Sequence, residues 1–108
     1  MNKAPDNRRY FGSRSGPSGH AAVMVLDEDG RQRQLNPRFD LRRHSPDGFQ
    51  WGYEGSGPAQ LALALVADAL GDDRKAVLQY QDFKVAVVSK LSGDEWQLNA
   101  AQVREALR

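Results

Sequence analysis

The 108-residue chain contains no cysteine. That absence excludes a disulfide framework, thiolate zinc sites, cysteine-ligated iron–sulfur clusters and a cysteine nucleophile. It also removes any argument for an oxidising compartment. Histidine is nearly as scarce, with only His20 and His44, 24 positions apart. No long apolar run occurs either. The longest, Leu61 to Ala67, is interrupted at Asp68 and falls far short of the roughly 20 residues a membrane helix needs. The first twenty residues are polar and lack the apolar segment of a secretory leader, so the expected location is cytoplasmic. Neither sign of charge dominates: 15 basic residues face 14 acidic ones. That excludes a uniformly basic nucleic-acid coat but leaves room for a local patch.

What is present organises the chain into one domain. A chain of this length buries roughly two thirds of the surface exposed by its unfolded form, enough for one core. Residues 1–7, a polar terminus, are expected to be disordered, and 8–108 to form a single α+β domain. Arg8–Arg14, His20–Leu26 and Arg31–Leu35 read as strands. Ser15–Gly19 is a turn, and Asp27-Glu28-Asp29-Gly30 is a hairpin loop whose Asp-Gly suits a positive φ. Asn36–Gly48 has two prolines and no period, and reads as an ordered loop with a helical turn, pinned by Phe39 and Leu41. Phe49, Trp51 and Tyr53 alternate with smaller residues, which predicts a further strand. Phe49 and Trp51 face the core in that reading, and Tyr53 is partly exposed.

The C-terminal half reads as helices. One starts at Pro58 or Ala59, runs to Leu70 and stops at Gly71. Asp72 or Asp73 caps a second, whose apolar stripe of Val77, Tyr80, Phe83, Val87 and Leu91 extends it to about Leu91. Glu95–Leu98 reads as a short strand carrying Trp96. Asn99 with Gln102 three positions on forms a variant capping box for a last short helix. The predicted architecture is an antiparallel sheet of three to five short strands with a helical hairpin on one face and a short C-terminal helix.

Three features bear on function. Residues 1–50 hold nine basic and six acidic side chains, and 51–108 hold six and eight. Within 31–43, Arg31, Arg33, Arg38, Arg42 and Arg43 stand against Asp40 alone, a pattern suited to an acidic protein partner or to phosphate. Tyr53 lies beside the Gly55-Ser56-Gly57-Pro58 turn. Ser56 and Gly57 at the start of a helix are candidate anion contacts, although neither a Walker loop nor a dinucleotide fingerprint is present. A tight strand-to-helix turn capped by Ser56 or Gly57 explains the same residues. No catalytic residue, metal ligand or cofactor is expected, because no nucleophile, base and orienting group are spaced to converge. His44, Ser45 and Asp47 read as hydrogen-bonding loop residues. Arg42 and Arg43 would depress the His44 imidazole.

The series Ser45-Pro46-x-Gly48-Phe49-x-Trp51-Gly52-Tyr53-x-Gly55-Ser56-Gly57-Pro58-Ala59-Gln60-Leu61-Ala62, continued by Tyr80-Gln81-x-Phe83-Lys84 and Trp96-x-Leu98, resembles a small bacterial domain family of unknown function. The resemblance implies no activity and no catalytic residues. It implies a setting on bacterial chromosomes, phages and plasmids, where small stand-alone proteins often act against host defences. The leading expectation is therefore a non-enzymatic interaction protein from a mobile element, an inhibitor of a host defence complex such as a CRISPR effector that occludes a partner surface. A small DNA- or RNA-binding protein using the 31–43 arginines is the alternative. An anion-binding domain or enzyme at the 55–58 helix start is the third.

Overall fold

The segment Ser56–Leu70 alternates alanine with leucine and valine all the way round. A helix apolar on every side must be covered on every side. In the computed structural model, which describes residues 3–15 and 19–107, this helix (α1) is the centre of the molecule, with 57–67 buried throughout. Gly71 ends it in the left-handed conformation, its N–H bonded to the Ala67 carbonyl. Asp72 then caps the second helix, α2 (Asp73–Ala86), by accepting a hydrogen bond from the Lys75 amide. Tyr80 and Phe83 seat α2 on the core.

Four strands form one antiparallel sheet: β1 (Arg9–Arg14), β2 (Ala21–Leu26), β3 (Gln32–Gln34) and β4 (Glu95–Asn99), in the order β3-β2-β1-β4. Tyr10 stands opposite Val25 on one side and Leu98 on the other. The sheet therefore turns Tyr10, Gly12, Val23 and Val25 toward the core, and Arg9, Phe11, Ser13 and Met24 outward. The β2–β3 hairpin closes through Gly30 at φ 89°. A short helix, α3 (Ala100–Glu105), follows β4 directly. Its capping box is complete: the Gln102 amide donates to Asn99 Oδ1 at 2.7 Å, and the Asn99 amide donates to Gln102 Oε1 at 2.8 Å. The chain is α+β, with an antiparallel sheet, a helical hairpin and a short C-terminal helix.

Four expectations need correction. Phe49–Tyr53 is not a strand. Gly48 (φ 104°) and Gly52 (φ 89°) put left-handed residues beside and within it, and the sheet position is taken by β4. The burial alternation survives without the strand: Phe49 and Trp51 are buried, and Tyr53 is 50% exposed. The second helix stops at Ala86, not Leu91. The β-branched Val85, Val87 and Val88 weaken helix propagation, the Val88 carbonyl is claimed by the Gly52 amide, and the chain continues as a 3₁₀ turn over Val88–Lys90. Gly55, not Ser56 or Gly57, occupies the N-cap of α1. Finally, the terminus is tied down from Ala4 onward. Ala4 is buried, its amide donates to the Ala69 carbonyl, and Arg104 bonds the Ala4 carbonyl and pairs with Asp6. Residues 1–2 of the expected disordered stretch, and 16–18 of the expected Ser15–Gly19 turn, lie outside the described residues.

Candidate functional site

A polar side chain on a fully buried helix needs every one of its hydrogen bonds. Gln60, on α1, is wholly inaccessible and makes all four. Its Oε1 accepts from the amides of His44 (2.7 Å) and Ser45 (3.1 Å), and its Nε2 donates to the carbonyls of Pro37 (2.6 Å) and Arg42 (3.0 Å). One side chain thereby pins both ends of the loop that carries most of the candidate arginines. A second clamp sits inside the loop. Arg38, at φ 60°, grips Asp73 at the start of α2 with two hydrogen bonds of 3.0 and 2.8 Å, and Asp40 with two more of 3.0 Å. Phe39, expected as an anchor, is 41% exposed, while Leu41 packs half-buried on the core. Polar bonds hold this loop more than its apolar residues do.

The candidate arginines divide accordingly. Arg33 and Arg38 are consumed internally. Arg33 donates to Asp68 at 2.9 Å, and Asp68 also accepts from Arg8 (3.1 Å) and from the Tyr10 hydroxyl (2.6 Å). Arg8 in turn pairs with Asp27 at 2.8 Å. Burial pushes the Asp68 carboxyl up, but the bonds from Tyr10 and Arg33, with the Arg33 and Arg8 charges, outweigh it and hold it below the ordinary carboxylate range. Burial and the adjacent Asp68 charge push the Tyr10 phenol well above its usual value. The Arg31 side chain is almost fully solvated and pairs loosely with Asp29, at 3.4 Å. Arg42 and Arg43 are exposed, and among the described residues neither pairs with a carboxylate. Arg42 folds back on the Leu41 carbonyl at 2.8 Å, and Arg43 lies over the Phe39 ring.

His44 sits where this loop meets α2. Its Nε2 is 2.7 Å from the Tyr80 hydroxyl. Gln81 Nε2 donates to that hydroxyl oxygen at 3.1 Å, so Tyr80 links the loop histidine and its own helix neighbour in one hydrogen-bond chain. Burial, then the Lys84 and Arg42 charges, lower the His44 pKa below the ordinary histidine value. The expected depression is there, with burial and Lys84 ahead of Arg42.

At the N-terminus of α1, one turn before Gln60, Ser56 is exposed and Gly57 buried, and no side chain caps the helix. The Ala59 amide is taken by the Gly55 carbonyl and Pro58 has no N–H, leaving only the Ser56 and Gly57 amides at this terminus. Gly57 is there for space: a Cβ would lie 2.7 Å from that of Gln50. The Tyr53 ring covers Gly55 in the same way, at 2.6 Å from a Cβ built there. Among the described residues no hydrogen bond or ion pair joins the Tyr53 or Ser56 side chain to the arginine loop.

A family of unknown function, DUF6166, has a model that matches residues 10–108. The chain belongs to DUF6166. No curated protein and no solved structure matches this DUF6166 chain. Among its described residues no helix is long and apolar enough to cross a membrane, and no three His, Asp or Glu side chains are grouped to hold a metal ion. Two residues central to this site differ in the signal they carry. Gln60 is an amide within the buried 57–67 stretch of α1, a position that by itself marks a side chain needing internal partners. Lys84 offered none, because its proximity to His44 arises only when α2 docks beside the loop.

Proposed function

We propose that this chain is a non-enzymatic interaction protein that binds an acidic surface of a partner protein and occludes it, using Arg42 and Arg43. The observation that supports this reading is the division of the arginines. Arg33 and Arg38 are neutralised by internal carboxylates, whereas Arg42 and Arg43, on a loop held by Gln60 and Arg38, are exposed and have no ion pair among the described residues. A loop already ordered loses little further conformational entropy on binding, so its charges are presented ready for use. Exposed Phe39, beneath Arg43, adds an apolar contact.

The reading is tested by affinity purification from bacterial cells of tagged protein and of the double variant Arg42→Glu/Arg43→Glu. A stoichiometric partner present with the former and absent with the latter supports it. A partner retained by the variant, or none with either, counts against it. In its most specific form the partner is a host defence complex such as a CRISPR effector, and expression of the chain then restores transformation by a targeted plasmid. Oligonucleotide binding that weakens steeply with salt and is lost in the same variant would replace the protein partner with nucleic acid.

A further inference from the structure

The contact between His44 and α2 gathers more charge than the loop supplies alone. Tyr80 and Lys84 are one helical turn apart and share a face of α2. Because Tyr80 Oη touches His44 Nε2, Lys84 is brought to the same place, and the charges acting on the ring are those of Lys84 from α2 and Arg42 from the loop. Two cations thus act on one imidazole where the loop meets α2, and neither is in an ion pair with a carboxylate among the described residues.

We propose that this seam, Arg42 and His44 on the loop with Lys84 on α2, binds acidic side chains of a partner protein and takes up a proton at His44 as it does so. The inference rests on the interaction reading above and deepens it by naming the contacts and their proton linkage. In the free protein burial and the two neighbouring charges disfavour the protonated ring, whose Nε2 lies 2.7 Å from the Tyr80 hydroxyl. A carboxylate placed between Arg42 and Lys84 cancels that repulsion. The ring then protonates, the Tyr80 hydroxyl accepts from Nε2, and His44 becomes a third charged donor. By linkage, an anion that favours the protonated ring binds more tightly as pH falls. The groups acting on the ring are Arg42 from its own loop and Tyr80 and Lys84 from α2, and among the described residues no carboxylate is bonded to it. With a net charge of only +1, the chain as a whole does little to attract a polyanion such as nucleic acid, which favours a compact acidic patch on a protein.

The test is fluorescence anisotropy with a labelled hexaglutamate peptide at low salt, at pH 7.5 and pH 5.5. The wild type is expected to bind, several-fold more tightly at pH 5.5. Arg42→Glu and Lys84→Glu should each weaken binding about tenfold, the size of one charge-assisted contact. His44→Gln should leave binding at pH 7.5 and abolish the gain at pH 5.5, a pattern that a merely structural role for His44 does not produce. Lys84→Gln serves if a charge reversal fails to fold, and Lys75→Glu, two turns away on α2, should change affinity little. No binding by the wild type, or full binding by the Lys84 variants, overturns the proposal. Loss in Arg42→Glu/Arg43→Glu with no effect at Lys84 or His44 overturns the seam while sparing the broader interaction reading. Tighter binding of an oligonucleotide of equal charge overturns the partner class.

Discussion

Gln60 shows how much one amide can organise. Replacing it with leucine keeps the volume but strands the amides of His44 and Ser45 and the carbonyls of Pro37 and Arg42. At about 1–3 kcal/mol for each buried group left without a partner, and allowing for water entry, Gln60→Leu should cost at least ~3 kcal/mol in urea denaturation. It should also weaken partner binding by loosening the arginine loop. Three titrating residues set the pH range of stability. The folded-state pKa of His44 lies below its ordinary 6.5, so its contribution is full above that pH and lost as pH falls through the folded value. Asp68 follows the same sign from 3.8 downward. Tyr10 is raised, so its contribution is full below 10.0 and declines as pH climbs beyond it. Stability from these groups should therefore plateau between about pH 6.5 and 10, and His44→Gln should flatten the shoulder between pH 7 and 5 in a denaturation series. The imidazole's depression could be foreseen from Arg42 beside it. Its larger causes could not, because burial and Lys84 arrive only with tertiary packing.

Elements whose signals are local were the most legible. The Asn99–Gln102 box, the Asp72 cap and the Gly71 stop need only neighbours three or four residues away, and each forms where the pattern places it. Asn99→Ala removes the bond to the Gln102 amide at the junction of β4 and α3. It should cost about 1 kcal/mol, read as a lower urea midpoint with an unchanged slope. Aromatic alternation over 49–53 misled because a period of two describes sidedness, not sheet pairing. Trp51 faces inward with its Nε1 bonded to the Gly93 carbonyl at 2.9 Å and its ring against Trp96 of β4, yet its backbone is not a strand of the sheet. The arginine pattern was half informative for a related reason. Five arginines near one aspartate in sequence look unpaired, but Asp27, Asp68 and Asp73 reach Arg33 and Arg38 from other elements. Charge balance is a property of space, and sequence windows cannot count it.

For the whole molecule, the ends matter as much as the centre. Arg104 spans 100 residues to bond the Ala4 carbonyl, and it also bonds the Ala69 carbonyl at the end of α1. Deleting residues 2–7 removes the Ala4–Ala69 bond, the Arg104 contacts and a buried methyl. It should cost about 2–4 kcal/mol while unfolding stays a single transition by fluorescence and circular dichroism. β1 lies between β2 and β4, so its second edge stays open until the last fifth of the chain arrives. On a ribosome, α1 would emerge long before that edge is closed, with an apolar surface that needs cover on every side. The vulnerable interval of this fold therefore falls during synthesis, before β4 has emerged to close that edge.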